Sequence, residues 1–84
     1  MDDPDLPPPI DENRWYARIM EVDQAGRWFE TTDAFRYLVA GADRKTVSGW
    51  SAWDLLLVDR RTVGTYGHTL THIEQGETVC CETS

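Results

Sequence analysis

The hydrophobic positions of the chain fall into short runs separated by turn chemistry. RWYARIMEV, residues 14–22, puts Trp15, Ala17 and Ile19 on one face and Tyr16, Met20 and Val22 on the other, the period of a β-strand. Both faces are largely apolar, which predicts a central strand or one covered on both sides. DQAG, residues 23–26, supplies a turn, and Trp28 and Phe29 open a return strand over residues 27–30. In TTDAFRYLVAG, Phe35, Leu38 and Val39 recur at helical spacing between a threonine cap and Gly41, which predicts a short helix over residues 32–40 with Asp33 at its positive end. The alternation of Phe35, Tyr37 and Val39 is a competing strand pattern.

From Thr46 onward the chemistry is that of strands: TVSGWSAW, then LLLV at residues 55–58, then GHTLTHI at residues 67–73. Ser51 and Asp54 resemble a capping box and offer a helix over residues 52–59, but the apolar run is short and favours a strand. One stretch occurs twice, as ADRKTVSGW at residues 42–50 and VDRRTVGTY at residues 58–66. The copies read as two turns of one sheet, with Asp43, Arg44, Asp59 and Arg60 at hairpin ends. QGE at residues 75–77 reads as a last turn.

Together these elements predict an α+β fold, a small antiparallel sheet of four or five strands on one short helix. An all-β meander is the alternative if residues 32–40 are extended. The predicted layout is a disordered, acidic, proline-rich leader over 1–13, a single small domain over 14–76 and a flexible acidic tail over 77–84.

Charge refines this picture. The chain of 84 residues carries a formal −7, yet residues 1–13 hold five acids and no base, and residues 74–84 hold three acids and no base. The body between them has seven acids against eight bases. The acidic field therefore comes from the ends, and it bears on association rather than on fold. No apolar run approaches the ~20 residues of a membrane span, and the acidic start lacks the pattern of a secretory signal. The two cysteines, Cys80 and Cys81, are adjacent and cannot staple a fold, so they read as free tail thiols in a reducing, cytoplasmic protein.

Candidate chemistry is sparse. LVAGADRKTVSGW resembles part of a helix-turn-helix, with Gly41 at the turn and Val47 and Trp50 as buried positions of a recognition helix carrying Arg44 and Lys45. That resemblance implies a small DNA-binding regulator. Tyr37 stands where the motif wants a small residue, the second copy makes a poor helix, and an acidic chain repels phosphate. His68 and His72 have helical metal-ligand spacing, but on a strand four residues span about 13 Å. No metal or cofactor is expected. Asp54, between Trp53 and Leu55, is the acid most in need of a partner, for which Arg18 is a candidate. No nucleophile with a base and no phosphate loop accompanies it, so an enzyme is not expected.

What remains is an interaction surface. Four tryptophans exceed what so small a core conceals easily, and tryptophan, tyrosine and arginine dominate interface energetics. Trp50 and Trp53, three apart, fall on opposite faces of a regular strand, so at least one is a candidate anchor. The predicted binding residues are Trp50, Trp53, Tyr66, Arg44 and Arg60. In size, acidity and lack of a catalytic set the chain is similar to small phage or mobile-element inhibitors of host systems, including anti-CRISPR proteins. That resemblance is one of type. It implies a non-enzymatic module that blocks a protein partner sterically or by nucleic-acid mimicry.

Overall fold

The computed structural model describes residues 6–60 and 66–83, and within them the chain forms a closed antiparallel barrel of six strands. These are β1 (Arg14–Val22), β2 (Trp28–Thr31), β3 (Arg36–Val39), β4 (Leu55–Asp59), β5 (His68–His72) and β6 (Glu77–Thr83). Their order around the barrel is β1-β2-β3-β6-β5-β4. Strands β4, β1, β2 and β3 lie side by side in the Greek-key arrangement. Alternate residues point inward, among them Ala17, Ile19, Phe29, Tyr37, Leu56, Leu70, Val79 and Cys81, all essentially inaccessible.

The α+β expectation is corrected in two places, and both corrections add a strand. Residues 32–40 are not a helix. Thr31 and Phe35 close a turn through the Thr31 amide and the Phe35 carbonyl (3.1 Å), and Arg36–Val39 then pairs with β2 and β6. Burying Tyr37 and Val39 on one face outweighs the helical spacing of Phe35, Leu38 and Val39, because Phe35 and Leu38 remain exposed. Residues 77–83 are not a fraying tail either. They form β6, which bridges β3 and β5 and closes the sheet. Closure removes the free edges that an open sheet of four or five strands would leave.

The helix lies elsewhere. A 3-10 turn, Gly41–Asp43, leads into α1 (Arg44–Val47), within the first copy of the doubled stretch, where the sequence predicts a strand entry. This link covers one end of the barrel with Val47 and Trp50, both buried. The two copies therefore differ in conformation. Asp59 is the last residue of β4 and Arg60 follows it, while residues 61–65 of the second copy lie outside the described residues. A helix-turn-helix is not formed, since the segment before Gly41 is strand β3 and α1 is four residues long.

One irregularity shapes the surface. The pairing of β1 with β2 shifts register between Ile19 and Glu21, leaving Met20 as the extra residue of a bulge. Inward positions are odd before it, at Ala17 and Ile19, and even after it, where Val22 packs against the core.

Candidate functional site

The structure separates the five predicted binding residues. Trp50 is no surface anchor. It is 3% exposed, packs on Phe29 and His72 with ring centroids at 5.8 and 5.2 Å, and donates from Nε1 to Glu77 Oε1 at 2.9 Å. Arg60 lays its guanidinium over the Trp15 ring, 5.1 Å from the centroid. Trp53 is on the surface by itself, whereas Arg44 and Tyr66 line one common groove.

Trp53 is 64% exposed and has a φ of 75°. A bulky residue in the left-handed region is strained by about 1–2 kcal/mol. The conformation is held from two sides: the Trp53 amide donates to the Ile19 carbonyl at 2.6 Å, and its own carbonyl accepts from Arg18 Nη1 at 3.0 Å. The Ile19 amide donates to the Asp54 carbonyl and the Ile73 amide to the Leu55 carbonyl, so the β1 bulge, the start of β4 and the end of β5 meet here. Met20 and Ile73 are exposed at this junction, and each is followed in the chain by an exposed glutamate, Glu21 and Glu74.

A groove of about 390 Å³ lies on another wall of the barrel, over β2, β3 and β6. Trp28 on β2, Leu38 on β3 and Glu82 on β6 are cross-strand neighbours and form its floor, with Tyr66, Arg27 and Arg44 around them. Arg36 stacks on Trp28 at 4.6 Å and reaches Glu30 at 3.4 Å. Arg27 pairs with Asp23 at 2.8 Å across the β1–β2 turn, and this guanidinium holds the Asp23 carboxyl below its usual range. Arg44 Nε makes one long bond to the Val39 carbonyl, 3.5 Å, which uses one of its five donors.

The buried titratable groups are committed to structure. The Asp33 carboxylate accepts from Trp15 Nε1 (2.9 Å), Tyr37 Oη (3.1 Å), the Phe35 amide (3.2 Å) and the Thr31 hydroxyl. It clasps the β2–β3 turn to β1 and β3 instead of opening a helix. Burial, reinforced by this carboxylate, pushes the Tyr37 phenol far up, which keeps it a donor. His72 accepts from the Gln75 amide at Nδ1 (3.2 Å), which assigns the proton to Nε2, 2.7 Å from Asp54 Oδ2. Asp54 also accepts the Ser51 amide (2.9 Å), so the capping-box contact forms without a helix. Both thiols are free, but they sit in β6: burial pushes Cys81 well up, and Cys80 is half-buried. Among the described residues no three His, Cys, Asp or Glu side chains gather as metal ligands.

His68 differs from these. It contacts Tyr37 and Trp15 edge-on, with centroids at 5.6 and 6.3 Å, and its buried Nδ1 has no hydrogen-bond partner among the described residues. Burial first, and then the Arg60 charge, lower its pKa from 6.5, with Asp33 opposing. Below pH 6.5 the unfolded chain therefore binds more protons at this position than the folded one. Stability falls as pH drops through 6.5, and this contribution stops changing once the pH is below the folded value. The Tm of the wild type is expected to decline more steeply from pH 7.5 to 5.5 than that of His68→Asn. Parallel slopes would remove His68 as the source. Asp11 and Asp23, whose values lie below 3.8, do not act in this window.

Sequence reasoning missed Trp28, Leu38 and Met20. The alternation of Trp28 and Leu38 with buried neighbours carries the signal for the first two, once residues 36–39 are taken as a strand; no residue type announces the bulge at Met20. Fold and surfaces together define a Greek-key barrel with an exposed tryptophan at one strand junction and a groove bordered by Arg27 and Arg44. No protein-family model matches the chain, and no curated protein and no solved structure matches it either. Among the described residues no helix is long and apolar enough to cross a membrane.

Proposed function

We propose that the protein is a non-enzymatic binding module that docks on a basic protein surface and blocks it sterically. The observation that carries this reading is Trp53, a mostly exposed tryptophan kept in a left-handed backbone conformation that glycine would occupy without strain. Met20 and Ile73 are exposed on the segments that meet Trp53 at this junction, and the exposed Glu21 and Glu74 that follow them in the chain favour cations on a partner. The acids of residues 1–13 add a field that speeds encounter with such a partner. Small phage or mobile-element inhibitors of host systems, which work by occupying a surface, are proteins of this type.

The test compares two substitutions with a site-specific photo-crosslinker. Trp53→Gly and Trp53→Ala both remove the indole, and each is expected to weaken partner binding by ~30-fold, the effect of a central anchor. Glycine also relieves the strain, so Trp53→Gly is expected to be more stable than Trp53→Ala by about 1 kcal/mol. A crosslinker at Ile73 in native host extract is expected to capture a protein from wild type and not from Trp53→Gly. Capture that survives the substitution, or capture of DNA, would rule the reading out.

A further inference from the structure

We infer that the groove over β2, β3 and β6 is a second binding site, for an extended acidic peptide segment carrying an apolar side chain between its carboxylates. This inference is independent of the Trp53 surface. Outward positions on a barrel wall are ordinarily polar, yet Trp28 and Leu38 lie side by side here as an apolar floor, and Tyr66 adds a third apolar element. Arg27 and Arg44 border that floor and Arg36 lies over Trp28; Arg27 and Arg36 also pair with Asp23 and Glu30, so Arg44 is the principal partner for a ligand carboxylate. Guanidinium pairs with carboxylate in a two-pronged, geometry-specific contact, and among the described residues most of the Arg44 donors are uncommitted.

The occupant follows from charge and from topology. Glu82 sits in the floor as a fixed negative charge, unfavourable to a run of phosphates or of adjacent carboxylates but a good acceptor for a peptide amide. Because β3 is paired on both sides, by β2 and β6, a peptide cannot add there as a further strand. Recognition then rests on side chains: one carboxylate to Arg44, a second to the donors Arg27 does not spend on Asp23, and an apolar group on Trp28 and Leu38. A volume of about 390 Å³ suits a few side chains, not a folded surface.

The experiment is fluorescence anisotropy with short labelled peptides of equal length, alternating glutamate with leucine, lysine with leucine, or glutamate with serine, and with oligo(dT). Only the glutamate–leucine peptide is expected to bind saturably, with the lysine and serine versions weaker by about tenfold or more. Arg44→Glu and Leu38→Ser are each expected to lose binding by about tenfold, and Arg60→Glu, outside the groove, to keep it. Thermal melts of all three variants establish that they are folded. Equal binding of the serine peptide, no saturable binding of any peptide, or tighter binding of oligo(dT) would overturn the assignment. So would self-association of the protein that Arg44→Glu abolishes, which would give the groove to a second copy. Loss of the Trp53 interaction leaves this titration unaffected, so the two readings fail separately.

Discussion

Gly26→Ala is expected to remove at least about 3 kcal/mol of stability, a fall in Tm of ~12–24 °C for a domain of this size. Gly26 is buried at the end of the β1–β2 turn with a φ of 73°. The left-handed backbone accounts for about 1–2 kcal/mol once a Cβ is present. The rest comes from contact, since a Cβ at this position would lie 1.9 Å from the Arg44 carbonyl oxygen and 2.9 Å from the Ser48 amide nitrogen. Both atoms belong to the backbone of α1 and its end, so no side-chain rotation relieves the clash. The link must lift, and lifting it draws Val47 and Trp50 out of the barrel end. Gly76→Ala is the matched control, with a φ of 70° and open space around the new Cβ, and it is expected to cost about 1 kcal/mol. Thermal melts read at tryptophan fluorescence decide the matter. Equal losses in the two variants would mean that backbone strain alone acts at Gly26.

The fold is only partly legible in the sequence. The bounds of β1 are legible because branched and aromatic side chains recur from Trp15 to Val22, although the bulge at Met20 turns Val22 inward against the predicted face, and β5 is legible because threonine alternates with His68, Leu70 and His72. The β2–β3 turn was not visible, because its left-handed residue is Ala34, with a φ of 71°, and not a glycine that would have announced a hairpin. Without that cue, Phe35, Leu38 and Val39 matched a helix. β6 was obscured by its surroundings: Thr78, Val79, Cys80 and Cys81 are acceptable strand residues, but flanking glutamates gave the segment the composition of a tail. Removing β3 and β6 from six strands leaves four, within the expected four or five, but the strand expected over TVSGWSAW is not among them. Asp43, Arg44, Lys45 and Thr46 turn helical because Val47 must reach the barrel end, whereas Asp59 of the second copy is held in register with Arg14. Local sequence could not distinguish the copies; tertiary contacts did. The separation of Trp50 from Trp53 was anticipated as opposite faces of a strand, and it arises instead from the loop after α1 turning one ring inward and the other out.

Trp50→Ala is the second large effect, expected at about 3–5 kcal/mol, the usual range for emptying a buried aromatic site. The ring lies between Phe29 of β2 and His72 of β5, on strands that are not neighbours in the barrel, so it joins walls that backbone hydrogen bonds do not connect. Its loss leaves a cavity under the α1 link and takes away the donor facing Glu77 Oε1. Trp50→Phe separates these contributions, because it keeps most of the packing and removes the Nε1 bond, for about 1 kcal/mol. The graded pair also tests the division of labour between the two tryptophans. Trp50→Ala is expected to lower Tm steeply while, at temperatures where it is folded, leaving partner affinity within about twofold of wild type, since at 3% exposure the indole has no surface to offer. Trp53→Gly should do the reverse. A Trp50→Ala protein that melts like wild type but no longer binds would place the anchor inside the barrel end, and would require the α1 link to open before the partner docks.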